Sequence, residues 1–238
     1  MTEALFRQDA YLQDCDAEVV SINDQGGIVL DRTVFYPMGG GQPGDQGELL
    51  WDGGSCEIAT AVKGDTPTEV THVPAPEQTL PAVGTKVTAK LNWDVRHRYM
   101  RVHTALHLLS VVIPLPVTGG SIGAEKGRLD FDMPEAPEDK DALQAELNAL
   151  ITADHPVTDE WITDAELEAK PEMVKTMSVK PPTGQGHVRL VRVGGSDPVD
   201  LQPCGGTHVR STAEIGTVRL GKVEKKGKQN RRVSVFLD

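Results

Sequence analysis

Several features that would assign the chain to a specialised class are scarce or missing. There are three cysteines, an odd number that provides no disulfide framework, and aromatic residues make up only 4% of the sequence. No stretch approaches the roughly 20 apolar residues of a membrane span, and the first residues lack the basic and apolar regions of a signal peptide. Internal repeats and low-complexity tracts are also absent. We therefore expect a cytoplasmic globular protein without a membrane partner.

Turn-forming residues are abundant and predict many short elements. The 238 residues include 24 glycines and 16 prolines, and this length exceeds that of a typical single domain. Before residue 91, short apolar segments alternate with turn signals, which is typical of a small β-barrel or sandwich. After it, the pattern predicts helices packed on a mostly antiparallel sheet. The predicted strands are residues 17–22, 27–30, 47–51, 56–62 and 86–91, then 128–133, 157–162, 187–193, 217–223 and 231–237.

Two histidines lie one turn apart in a predicted helix. Residues 92–112 show apolar side chains near helical spacing, and Pro114 and Pro116 prevent continuation of the helix. His103 and His107, at positions i and i+4, share one face and direct both imidazoles towards one point. Taken alone, such a pair is more often buried and hydrogen-bonded than bound to a metal.

A cysteine and a histidine follow about a hundred residues later. Cys204 and His208 flank Gly205 and Gly206, whose conformational freedom lets the backbone fold tightly around an ion. In an intracellular chain this pairing favours metal binding over a disulfide. Together the two pairs predict one Zn²⁺ per chain. One thiolate and three neutral imidazoles leave a net charge of +1, which suits a catalytic centre, although four protein ligands also fit a structural clamp.

A glycine-rich segment stands in the first half, at residues 36–47. Its consecutive glycines allow positive φ angles, so backbone amides could approach a ligand or another chain segment closely. It lacks the Gly-Lys-Ser/Thr ending of a phosphate-binding loop. By itself, this segment is more typical of a structural bend than of a binding loop.

Charge is distributed unevenly along the chain. The net charge of −11 argues against a general nucleic-acid binder, and no DNA partner is expected. Residues 201–238 nevertheless carry eight cations against three anions. This basic end indicates either contact with a phosphate backbone or a solvated hairpin whose lysines protect an edge strand. The candidate RNA-binding residues are Lys222, Lys225, Lys226, Lys228, Arg231 and Arg232.

Three segments together resemble a known family. Residues 35–47, 103–109 and 200–209 are similar to the editing region of alanyl-tRNA synthetase, and a chain with only this region resembles the freestanding alanyl-tRNA editing proteins in their longer form. The resemblance implies an α+β fold, with a β-barrel over residues 1–90 and a zinc-binding editing domain over residues 91–238. It also implies a hydrolase that acts in trans, without ATP, on alanine tRNA mischarged with serine, with glycine as a second candidate.

The resemblance also implies roles for individual residues. The implied zinc ligands are His103, His107, Cys204 and His208, and the implied specificity elements are Gly40, Gly41 and Gln42. Serine must be distinguished from alanine by a hydrogen bond to its hydroxyl group. Candidate catalytic or recognition residues for that bond are Thr104, Gln42 and Ser121. Thr104 also stands where the His-Glu-x-x-His proteases have their glutamate base, which disfavours peptide hydrolysis.

Two other functions fit the same residues. The first is a non-catalytic RNA-binding module in which zinc only stabilises the fold. The second is a zinc hydrolase that acts on small esters or amides without RNA. For the editing reaction itself, the sequence leaves open whether zinc activates water or orients the amino group of the substrate.

Overall fold

The computed structural model describes residues 2–177 and 186–238. Contacts between Cα atoms divide the chain into two compact units, Met1–His97 and Arg98–Asp238. This division falls within a helix, a few residues beyond the predicted boundary. In the part of the chain that the structure describes, no helix is long and apolar enough to cross a membrane.

The first unit is built on a closed barrel of six strands. Around the barrel the strand order is β2-β3-β7-β6-β5-β8, and every neighbouring pair is antiparallel. The barrel decides between the two architectures that the sequence allowed. A separate parallel pair, β1 with β4, lies beside a short 3-10 helix, Leu5–Arg7. The strands are β1 (Glu3–Ala4), β2 (Asp14–Ile22), β3 (Ile28–Leu30), β4 (Arg32–Thr33), β5 (Gly47–Trp51), β6 (Gly54–Lys63), β7 (Val70–Pro74) and β8 (Lys86–Leu91).

Alternation of apolar residues explains which barrel strands were predictable. Strands β5 and β8 have the predicted bounds, and their inward side chains, such as Leu49 and Ala89, are fully buried. Strand β7 was not predicted, because the polar Thr71 and His72 interrupt its apolar pattern. Both are buried all the same, and β7 closes the barrel between β3 and β6.

The second unit combines three helices with antiparallel sheets, as predicted. One sheet has the order β14-β16-β10-β9, with β15 also paired to β16, and another has the order β11-β12-β13. Two further 3-10 helices are Pro171–Met173 and Thr212–Ile215. The other elements are α1 (Trp93–Val112), which begins in the first unit, β9 (Val117–Ile122), β10 (Lys126–Asp132), α2 (Lys140–Thr152), β11 (Val157–Thr163), α3 (Asp164–Glu168), β12 (His187–Val193), β13 (Asp200–Pro203), β14 (Val218–Leu220), β15 (Glu224–Lys225) and β16 (Asn230–Leu237).

Helix α1 packs closely on the longer sheet. A Cβ atom added at Gly127 of β10 would lie 2.5 Å from Val102 and 2.9 Å from Leu106, so only glycine lets the helix approach this far. Capping side chains fix the shorter helices. Asp139 accepts a hydrogen bond at the start of α2, and the predicted Thr163–Glu166 capping box starts α3.

Candidate metal centre

Four side chains from two elements converge at one point in the second unit. His103 and His107 extend from one face of α1, while Cys204 and His208 lie in the loop that follows β13. One ligand atom from each residue lies within 4.8 Å of the other three. The three histidines are buried, and Cys204 is partly exposed. The tertiary fold therefore assembles the four residues that were predicted as ligands.

Two distances within this cluster match those of a tetrahedral zinc site. The Cys204 Sγ atom lies 3.3 Å from His208 Nε2 and 3.5 Å from His103 Nε2. Four ligand atoms held about 2.0–2.3 Å from one ion in a tetrahedron would be about 3.3–3.7 Å apart. A set of one thiolate and three imidazoles is also chemically suited to Zn²⁺. The residues present thus fit the ion in donor type and in convergence, with all four ligand atoms within 4.8 Å of one another.

Thr104 orients one of the candidate ligands, His208. Its hydroxyl donates to the Met100 carbonyl at 2.9 Å and accepts from the Val209 amide at 3.3 Å, so the contact of 3.0 Å with His208 Nδ1 requires a proton on that nitrogen. The lone pair of His208 then lies on Nε2, which faces Cys204. Because the Thr104 hydroxyl is buried and fully engaged, its surroundings favour orientation of His208 over contact with substrate.

Asp200 orients a second ligand through a charged hydrogen bond. Its Oδ2 atom lies 3.1 Å from His107 Nδ1, which leaves His107 Nε2 for the metal. Lys175 Nζ contacts Asp200 Oδ1 at 2.6 Å, and Gln202 Nε2 donates to Oδ2 at 2.7 Å. Although burial opposes it, the hydrogen bond and charge of His107, together with Lys175, lower the pKa of Asp200 to about 2. Asp200 is therefore a carboxylate that accepts from all three neighbours.

The pKa values of the cluster residues favour the binding of a cation. Burial raises the pKa of Cys204, but His103 and His208 outweigh it and hold that pKa well below the usual value. Burial, with the charge of His103, holds the pKa of His208 well below its usual range. Burial disfavours the charged form of His107 too, yet Asp200 and Cys204 raise its pKa to about 9. The metal-free cluster thus pairs a thiolate with an imidazolium, and metal binding is expected to displace the His107 proton.

Arg189 stabilises the loop that contains Cys204 and His208, which is called the ligand loop below. This residue of β12 donates to the carbonyl of Cys204 at 3.0 Å and to that of Gly206 at 2.9 Å, and its Nε atom lies 3.3 Å from Asp159. No local pattern in the sequence singles out Arg189, Lys175 or the role of Asp200. One signal was available: Asp200 lies four residues before Cys204, within the segment 200–209 that resembles the editing region.

Ser121 is not brought towards the histidines. Within β9 and β10, Ser121 pairs directly with Arg128, whereas the neighbouring Gly127 faces Val102 and Leu106 of α1. Adjacent residues of a strand point to opposite faces, so Ser121 lies on the face away from α1. This placement gives no support to its candidate role, which stays a prediction.

The glycine-rich segment belongs to the first unit and forms a tight turn. Gly39 and Gln42 exchange two backbone hydrogen bonds of 3.1 and 3.0 Å, and Gly40 and Gly41 between them have φ angles of 59° and 82°. The Gln42 side chain is buried, while no heavy atom lies within 4 Å of a Cβ atom added at Gly40. The turn explains why glycines are needed here. The specificity role of Gly40, Gly41 and Gln42 stays a prediction.

A buried ion pair anchors the end of that segment. The guanidinium of Arg96 contacts both carboxylate oxygens of Asp45, and the two side chains are 0% and 1% exposed. Arg96 also donates to the carbonyls of Ala10 and Val34, and Asp45 accepts from the Tyr36 amide. The ion pair therefore fixes both ends of the Tyr36–Asp45 stretch within the first unit.

The predicted RNA-binding cations lie on β15, on β16 and in the segments that join β14, β15 and β16, and they differ in their contacts. Arg232 forms two hydrogen bonds with Asp130, at 2.7 and 2.9 Å, and Lys226 lies 2.7 Å from Glu224. Arg231 donates to backbone carbonyls, including that of Pro134. Among these six cations, Lys222, Lys225 and Lys228 are exposed and form no ion pair that the described residues show.

Two protein-family models match the chain, one in each unit. Residues 188–234, which contain Cys204 and His208, match the threonyl and alanyl tRNA synthetase second additional domain. Residues 7–95, which contain the glycine-rich segment, match the class II (A) tRNA synthetases. Each family model covers a different unit, so the two parts of the chain point to the same group of proteins.

Individual relatives extend this likeness over nearly the whole chain. The alanyl-tRNA editing protein AlaX-M of Methanosarcina acetivorans is 36% identical over 98% of both chains. AlaX-L of Pyrococcus horikoshii is 34% identical over 98% of this chain and 57% of the relative. The alanine–tRNA ligase of Pyrobaculum arsenaticum is 35% identical over 94% of this chain, but only 25% of the relative is covered. The chain therefore belongs to the alanyl-tRNA editing protein family.

Proposed function

We propose that this protein is a zinc-dependent hydrolase of the cytoplasm that acts in trans on mischarged alanine tRNA. Its substrate is the serine ester of that tRNA, with the glycine ester as a second candidate. The observation that carries the proposal is the convergence of His103, His107, Cys204 and His208 in a chain that is 36% identical to an alanyl-tRNA editing protein.

The chemistry of the substrate matches such a centre. An aminoacyl ester is already activated, so its hydrolysis requires a positioned water and relief of the negative charge that develops on the carbonyl oxygen. Bound zinc would supply a Lewis acid of net charge +1 at the four ligands. Asp200 and Thr104 would keep His107 and His208 in the Nε2-binding orientation. No protein nucleophile is needed in this scheme.

Contact with tRNA would come from the exposed lysines near the carboxyl end. Lys222, Lys225 and Lys228 are exposed and show no ion pair among the described residues. Each lysine that contacts a phosphate releases counterions, so replacing it lowers the slope of log affinity against log salt by about 1. Lys225→Ala and Lys228→Ala are therefore expected to reduce this slope, whereas Lys90→Ala, on barrel strand β8, serves as the control.

The test of the function is deacylation by the zinc-loaded protein. Alanine tRNA is charged separately with serine, glycine and alanine, and loss of each ester is followed over time. We expect rapid loss of the serine ester and retention of the alanine ester, since alanine lacks the hydroxyl that the site would recognise. Glycine lacks this hydroxyl too, so rapid loss of the glycine ester would show that the hydroxyl is not the only basis of selection. If the serine ester persists while an established editing enzyme removes it in parallel, the proposal is wrong.

Two further outcomes would identify the alternative functions. Tight tRNA binding without hydrolysis would indicate an RNA-binding module in which zinc is structural. Hydrolysis of small serine esters with no advantage for the tRNA ester, and no dependence on salt, would indicate a hydrolase of small molecules.

A further inference from the structure

An exposed tryptophan lies on the sheet that carries the ligand loop. Trp161 of β11 is 51% exposed, whereas large apolar side chains of this unit are mostly buried. Strand β11 is at one end of the β11-β12-β13 sheet, and its first residue, Val157, donates to the Arg210 carbonyl at 2.8 Å. A flat aromatic side chain at such a position offers a stacking surface.

The strand register places this tryptophan in line with a predicted zinc ligand. Trp161 pairs directly with Arg189 of β12, and the Arg189 carbonyl accepts from the Cys204 amide at 3.1 Å. Residues that pair directly across antiparallel strands have side chains on the same face. Trp161, Arg189 and Cys204 therefore form one row across the sheet. Two strand spacings separate its ends, a distance of roughly 10 Å.

The middle of this row is rigid. The Arg189 guanidinium is held by the carbonyls of Cys204 and Gly206 and by the Asp159 carboxylate. All three partners belong to the same sheet or to the loop that follows it. The surface between the indole and the ligand loop is thus already formed, and a bound molecule would not have to order it.

From this arrangement we propose that the Trp161 indole stacks on the adenine base of the 3′-terminal adenosine of the tRNA. The inference rests on the proposed function. If the aminoacyl ester of the tRNA lies at the metal cluster, the adenine base of the same terminal nucleoside lies within one nucleoside length of it. Stacking on an aromatic ring is sufficient to hold this base. Every aminoacylated tRNA ends in the same adenosine, so the site does not have to distinguish between bases. The row from Cys204 to Trp161 has the appropriate length.

Steady-state kinetics on the zinc-loaded protein tests the proposal. For the serine ester of alanine tRNA, Trp161→Ala is expected to raise KM about 10-fold, as for removal of one base-stacking contact. Trp161→Phe should restore most of the affinity, because phenylalanine keeps a stacking face. The loss in kcat/KM should be about 10-fold greater on the tRNA ester than on serine methyl ester, which has no base. Val20→Ala, at an exposed position of β2, is the control.

The outcomes separate the two proposals. If the wild-type protein leaves the serine ester of the tRNA intact, the proposed function fails and this inference falls with it. If the wild type is active but Trp161→Ala has an unchanged KM, only the stacking role is wrong. Equal losses on the tRNA ester and on serine methyl ester, or a loss of bound zinc, would show that Trp161 is structural and would overturn the proposal.

Discussion

The two units bury histidines in opposite ways. In the barrel, His72 donates from Nδ1 to the Ile28 carbonyl at 3.0 Å and accepts at Nε2 from the Thr33 hydroxyl at 2.8 Å. Both ring nitrogens are satisfied, and burial lowers the pKa of His72 to about 4. In the second unit, Asp200 and the Cys204 thiolate overcome burial and raise the pKa of His107 to about 9.

This difference distinguishes a structural histidine from a candidate metal ligand. His72 has complementary neutral partners on both sides, so it is stable in the absence of an ion. For His107 and His208 the Nδ1 atom has a partner, while Nε2 points into a cluster that contains a thiolate. A metal-binding histidine is expected to have one ring nitrogen, here Nδ1, held by a hydrogen bond and the other, here Nε2, directed at the ion-binding cluster.

The largest effect should follow from removal of the thiolate. Cys204→Ala is expected to reduce bound zinc from about one per chain to near zero and to reduce hydrolysis of the serine ester at least 100-fold. Metal analysis by mass spectrometry and the deacylation assay measure the two effects. Cys15→Ala, in the barrel unit, is the matched control and should retain zinc. A Cys204→Ala protein with full zinc content would contradict the assignment of this ligand.

The next largest effect concerns the buried ion pair of the barrel unit. Arg96→Leu leaves the Asp45 carboxylate buried without its partner, which should lower the free energy of unfolding by about 3–5 kcal/mol. Arg32→Leu removes a solvent-exposed arginine and should cost less than about 1 kcal/mol. Urea unfolding monitored by fluorescence compares the two variants. Similar midpoints for both would show that burial of the pair has no special effect.

A smaller effect is expected at the oriented ligand. Asp200→Asn keeps an oxygen that accepts from His107 but removes the negative charge, so zinc affinity should fall about 10- to 100-fold. Competition with a chromogenic chelator measures this affinity directly. Glu160→Gln, which removes a charge from a more exposed pair with Arg192, is the control. Unchanged affinity in Asp200→Asn would mean that the hydrogen bond alone positions His107.

The smallest effect is the response of the barrel to acid. His72 has a pKa of about 4 when folded and about 6.5 when unfolded, so the unfolded chain binds more protons between these values. Stability is therefore lost as pH falls below 6.5, by about 2 kcal/mol at pH 5. His72→Gln, which does not titrate, should show a weaker loss between pH 7 and pH 5. Denaturant unfolding at both values tests this, and equal losses would rule out His72 as the cause.

Local patterns explain how much of the molecule was predictable. The i and i+4 spacing placed His103 and His107 on one helical face, and the Thr163–Glu166 pair gave the start of α3. Partners that come together only through strand register were missed. Lys175 reaches Asp200 from 25 residues away, and Arg189 reaches the Cys204 loop across β12 and β13. Strand β7 was missed because its buried polar residues resemble a loop.

The sequence by itself determined the candidate ligand set, the helix that carries half of it and the class of fold, because helical spacing and strand alternation are local properties of the chain. Only the tertiary structure decided that the barrel closes, that Asp200 and Thr104 orient two of the candidate ligands, and that Trp161 lies in a row with Cys204. These features depend on which distant segments pair and in which register, and no single stretch of the sequence contains that information.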